Sequence, residues 1–137
     1  VGKIRFDSVK SFAEIFCQEY TNAEFHFFGS AGSVKEKEMF APLKKYANCI
    51  FHGPFKNPAD LSQIYSQIDL VLATYDVKYD NVCYAEPNKL YESIYFETPI
   101  IVSEGCFLGD KVKELNIGYT VNALDTLDIK QLINSLI

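Results

Sequence analysis

The chain is 137 residues long and 48% hydrophobic, enough to bury one substantial core and too little for two full domains. Its formal net charge is -5 and its 13 Lys and Arg residues are spread along the sequence, so there is no basic stripe to neutralise a phosphate backbone and nucleic acid is not an expected partner. No run approaches the ~20 apolar residues of a membrane span and no leader-like pattern opens the chain, so a cytoplasmic location is expected, with membrane association left to a longer parent protein.

In chain order, a strand-like run from Val1 to Phe6 leads into a helix that Asp7 or Ser8 can cap, with Val9, Phe12, Phe16 and Tyr20 as its apolar stripe. Strands are expected next at Glu24 to Phe28 and at Cys49 to His52. Pro58 is placed to open a helix carrying Leu61, Ile64, Tyr65 and Ile68, followed by a strand from Leu70 to Ala73. The longest irregular stretch, Tyr75 to Glu86, joins that strand to a helix opened by Pro87, whose inward stripe reads as Leu90, Tyr91, Ile94 and Tyr95. Beyond it come a strand at Ile100 to Val102, a helix ending at Asn116 and Gly118, a strand at Tyr119 to Val121 and a last helix from about Asp125.

This alternation predicts βαβ units in a doubly wound, mostly parallel α/β sheet of about six strands with helices on both faces, the Rossmann-like class. The runs Leu70 to Ala73 and Ile100 to Val102 are apolar on successive residues, as in strands covered on both sides. One domain over residues 1–137 is expected. Val1 opens directly on a strand pattern and Leu136-Ile137 stops inside a helical one, which reads as a piece cut from a longer chain.

In open parallel sheets, ligands bind beyond the carboxyl ends of the strands, where the Tyr75 to Glu86 loop and the start of the Pro87 helix fall. Asn88, Lys89 and Glu92 lie within the first turns of that helix, away from the expected inward stripe. A helix start attracts phosphate through its unpaired N–H groups and dipole, and Lys89 adds a full positive charge. Glu92 offers a carboxylate able to accept from two adjacent hydroxyls. The plain alternative is a solvated Lys89–Glu92 pair at i,i+3 spacing.

The run Glu86-Pro87-Asn88-Lys89-Leu90-Tyr91-Glu92, followed by Thr98-Pro99-Ile100-Ile101-Val102, resembles the P-(S/N)-K-x-x-E-x-x-x-x-G-x-P-(V/I)-(V/I) signature of GT-B glycosyltransferases, especially the family 4-like group. The resemblance extends to Phe28-Gly29-Ser30, to His52-Gly53-Pro54-Phe55 and to Leu61 through Ala73. It implies that Glu92 holds the ribose hydroxyls of a nucleoside-diphosphate-sugar donor, with Pro87, Lys89 and the Asn88 backbone near the diphosphate. It also implies that Gly53 and Pro54 abut the nucleobase, that Lys3, Arg5 or Lys10 contacts the diphosphate, and that Glu86 approaches the sugar. Two positions depart from the pattern: Tyr84 stands where retaining members often carry a second glutamate, and Glu97 stands where the signature has glycine.

The resemblance implies a transferase moving a sugar to an acceptor hydroxyl, with a separate N-terminal acceptor-binding domain as partner and bacterial surface polysaccharide synthesis as the commonest setting. A nucleotide-sugar 2-epimerase of the same architecture and a non-catalytic flavodoxin-like module are the alternatives. No cofactor is expected beyond the donor substrate. No metal site is expected either: the sequence holds no Asp-x-Asp pair, and Cys17, Cys49, Cys83 and Cys106 lie far apart without a CxxC motif, which reads as reduced thiols. His26, flanked by phenylalanines, reads as structural; His52, beside Gly53 at a strand end, has equal claims to a structural and a functional role.

Overall fold

The computed structural model describes residues 1–76 and 88–137. Its elements are α1 (Asp7–Glu19), β1 (Phe25–Phe28), α2 (Val34–Phe40), a 3-10 turn (Ala41–Lys45), β2 (Cys49–Gly53), α3 (Leu61–Tyr65) and β3 (Val71–Ala73). These are followed by α4 (Asn88–Tyr95), β4 (Ile100–Ser103), α5 (Phe107–Leu115), β5 (Gly118–Val121) and α6 (Thr126–Leu136).

Every strand pairing is parallel, but the strands form two sheets, β1-β2 and β3-β4-β5, rather than one. The expected six-stranded doubly wound sheet is therefore corrected to five strands in two pieces among the described residues. The run Val1 to Phe6 accounts for the difference. It forms a single parallel bridge, Ile4 with Ala31, because its amides meet the chain only at the last residue of β1 and beyond it: Gly2 N–H donates to Phe28 O (2.7 Å) and Ile4 N–H to Ser30 O (3.2 Å).

The three-stranded sheet is covered on both faces, which explains its unbroken apolar runs. Ile100 and Val102 pack with Leu61, Leu90, Leu108 and Val112 from α3, α4 and α5. Ile101 and Val121 face the opposite way, against Phe12 of α1 and Ile129 and Ile133 of α6. All four residues of β4 are buried. The β1-β2 pair has its own cluster, in which Phe27 and Cys49 meet Ala13 and Cys17 of α1 and Phe40 and Leu43.

Local signals were decisive at some element ends and overridden at others. Asp125 caps α6 by accepting from the N–H groups of Leu127 and Asp128, and Asn116 ends α5 in the left-handed region at φ 52°, both as the sequence indicates. At α1 the expected cap fails: Phe6 is the N-cap and no side chain caps it, because the Ser8 hydroxyl is buried and donates instead to the Thr74 carbonyl. Pro58 sits in the turn before α3 rather than at its start. Helix α2, which the sequence reading did not single out, is nucleated by a capping box between Ser33 and Glu36.

Candidate functional site

The site is built where α4 meets the carboxyl ends of the strands. Of the apolar stripe expected on this helix, Leu90 is buried as expected, but Tyr91, Ile94 and Tyr95 are 54%, 45% and 80% exposed, and Ser93 is buried in their place. The buried Ser93 is satisfied locally, its hydroxyl donating to the Thr98 carbonyl just beyond the helix. Lys89 and Glu92, three residues apart and beside that buried line, are thereby brought half under cover instead of lying on a solvated face.

Each of the two finds an aromatic partner. The Tyr65 hydroxyl, at the end of α3, donates to Glu92 Oε2 at 2.7 Å. Lys89 Nζ lies 3.5 Å from the Tyr75 hydroxyl and 5.9 Å from the centre of its ring. Tyr75 is in turn held by contact with Phe6, ring centres 4.9 Å apart, and by the Ser103 hydroxyl, which donates to its carbonyl at 2.8 Å. Among the described residues Lys89 and Glu92 make no direct ion pair with each other, so the plain i,i+3 pair is not what the helix displays.

Burial lowers the Lys89 ammonium below its ordinary value; the Glu92 carboxylate opposes that effect and the Arg5 guanidinium adds to it. Burial likewise pushes the Tyr75 phenol up to about 12, and the Tyr65 phenol is raised by burial and by its bond to Glu92. The result is a half-enclosed group of one ammonium, one carboxylate and two protonated phenols, with a guanidinium near enough to be felt. Such a set can hold an anion at Lys89 and Arg5 and accept hydrogen bonds from a polyol at Glu92.

Close backbone approach shapes the rest of this end of the fold. Gly29 has φ 132° and its N–H donates to Gly53 O at 2.8 Å; a Cβ at Gly29 would lie 1.9 Å from the Gly2 carbonyl oxygen. A Cβ at Gly2 would meet Lys89 Nζ at 2.8 Å. Only glycine fits at Gly29, and the glycine at Gly2 brings the chain within reach of the ammonium.

The chain matches no family model, no curated protein and no solved structure.

The residues singled out from sequence are distributed unevenly around this centre. Asn88 is exposed at the first residue of α4. Of the three basic candidates, Arg5 is the one whose charge acts on Lys89 and Tyr75. Lys3 lies beside Gly32 and Glu36, and Lys10 is half-buried on α1. Glu86 and Pro87, with Cys83 and Tyr84, lie outside the described residues.

Gly53 and Pro54 line a separate hollow of about 320 Å³ together with Phe28, His52, Phe55 and Gln63. His52 stacks on Phe28, ring centres 4.1 Å apart, and its Nε2 is 2.8 Å from His26 Nδ1; His26 Nε2 in turn meets Glu24 at 2.9 Å. Partial burial and the neighbouring His26 lower the His52 imidazole below its ordinary value. The sequence did not disclose that Tyr65 and Tyr75 serve as the partners of Glu92 and Lys89. Tyr65 read as one more apolar position of a helical stripe, and only the tertiary contact reveals its hydroxyl as a donor.

Proposed function

We propose that this chain is the donor-binding half of a two-domain glycosyltransferase of the GT-B plan, which moves a sugar from a nucleoside diphosphate to an acceptor hydroxyl. The observation that carries this reading is the gathering of half-buried Lys89, Glu92 and Tyr75 with buried Tyr65 at the strand ends, and the exposed Arg5 near enough to act on Lys89, Lys89 and Glu92 being the residues that resemble the family signature. Glu92, held by Tyr65, accepts from the ribose hydroxyls. Lys89 and Arg5 neutralise the leaving diphosphate as its charge develops, the kind of preorganised electrostatic help that lowers a transition state most. The hollow at Gly53 and Pro54 takes the base, and Glu86 is assigned to the sugar on the resemblance alone.

An acceptor-binding domain upstream completes the cleft and excludes water, so this half by itself binds nucleotide weakly and transfers no sugar. The parent domain is proposed to hold one doubly wound sheet of about six strands, and its setting to be polysaccharide assembly on the cytoplasmic side of a membrane. Calorimetric titration with UDP, GDP and ADP is the test. One of the three should bind, and Glu92→Ala should abolish the heat while leaving the circular dichroism spectrum unchanged. Equal binding by the wild type and Glu92→Ala would overturn the site; measurable sugar transfer by this chain alone would overturn its incompleteness.

A further inference from the structure

Between the two sheets lies a cavity of about 590 Å³, walled by Phe12 and Phe16 of α1, by Phe28 and Ile68, and by Leu72 and Ile101. Its two long sides are strand edges. In β1, Phe25 N–H donates to Asn48 O and Gly29 N–H to Gly53 O, so the odd-numbered residues bond towards β2 and those of His26 and Phe28 point into the cavity. In β3, Val71 N–H donates to Pro99 O, so the odd-numbered residues bond towards β4 and Leu72 turns its N–H and C=O to the same cavity from the other side. Two parallel sheets thus present facing, largely unpaired edges across a mainly apolar gap.

The end of that gap is already engaged. Gly2 N–H takes the Phe28 carbonyl, and the bridge of Ile4 with Ala31 is parallel, so Val1 to Ile4 runs in the direction of β1 at its carboxyl end. Traced backwards from Val1 in the same register, a chain passes Phe28 and then His26, down the length of the cavity. We infer that the cavity is the seat of a further parallel strand, formed by the residues immediately upstream of Val1, which joins the two sheets into one with β1 on one side and β3 on the other.

The walls define the occupant. Apolar side chains dominate the walls, with Lys3, Glu24, Asp69 and Lys89 also lining the gap, so the strand is a mainly apolar run about as long as the four-residue β1. A small apolar ligand would leave the backbone groups of His26 and Leu72 and the Phe28 N–H without partners, whereas a strand satisfies them on both sides. A strand of a second copy lacks covalent continuity with Gly2, which holds the register and makes pairing intramolecular. With the strand in place, the chain order turns from β1-β2 on one side to β3-β4-β5 on the other at this point, the reversal beside which open α/β sheets bind ligands. The inference supplies the strand that completes the proposed six-stranded sheet, and it does not depend on the sugar-transfer chemistry.

The test compares three proteins by amide hydrogen exchange, size-exclusion chromatography and binding of anilinonaphthalene sulfonate. They are the 137-residue chain, the same chain extended at Val1 by about six valine and isoleucine residues, and that extension with proline directly before Val1. The plain extension should slow exchange at His26, Phe28 and Leu72 about tenfold or more and expel the dye, while the proline version, lacking the N–H that faces the His26 carbonyl, should protect these amides less. Unchanged exchange on extension, equal protection by the proline version, dye retained after extension, or an unextended chain already dimeric with these amides protected would each overturn it.

Discussion

Lys89 is the residue whose chemistry is most altered by its surroundings. Burial makes its ammonium easier to deprotonate, so any diphosphate affinity it supplies is present while it is charged and falls as pH rises through its lowered value, below the ordinary 10.5. Calorimetry from neutral to alkaline pH should show binding weaken in the wild type and hold in Lys89→Arg, which keeps its charge. The same lowering acts on stability with a definite sign. Between the folded value and 10.5 the unfolded chain holds the extra proton, so stability rises with pH across that window. The phenols act oppositely: Tyr75, pushed up to about 12, contributes stability present below pH 10 and lost as pH rises through its folded value. Tyr65→Phe removes one hydrogen bond to Glu92 and should cost about 1 kcal/mol in urea unfolding, while weakening nucleotide binding by loosening the carboxylate.

At the scale of elements, the sequence disclosed which segments are strands and helices better than it disclosed how α4 sits. The exposed apolar residues Tyr91, Ile94 and Tyr95 outnumber the buried ones on that helix, so periodicity placed Leu90 correctly but centred the buried face on the wrong side. The polar contacts of Glu92 and Lys89 run to Tyr65 and Tyr75 outside this helix, and neither is visible without those partners. The strand expected from Val1 to Phe6 falls short for a different reason, since its amides reach only the last residue of β1 and the turn after it, leaving one bridge between Ile4 and Ala31. By contrast, the departure at Glu97 was legible: it occupies the glycine position of the resembling signature and adopts φ 53°, the left-handed region. A side chain there costs about 1 kcal/mol, so Glu97→Gly should raise the midpoint of thermal unfolding, as differential scanning calorimetry would register.

For the whole molecule, α1 is what the two sheets share. It sends Phe12 into the cluster around Ile101 and Ile129, and Ala13 and Cys17 into the cluster around Phe27 and Leu43. Phe12→Ala removes a side chain that is 2% exposed and should cost about 3–5 kcal/mol, measured by urea denaturation. That single replacement should loosen residues of both sheets, so amide exchange would quicken in β1 as well as in β4.

An α-helix that spans a seam in this way does more than fill space. Successive residues of one rigid rod are committed to opposite halves, so neither half can come apart without pulling on the other. Although hydrogen bonding divides the strands into a pair and a trio, melting should proceed as one event, with far-ultraviolet and tyrosine signals changing together, and α1 is the keystone that makes it so.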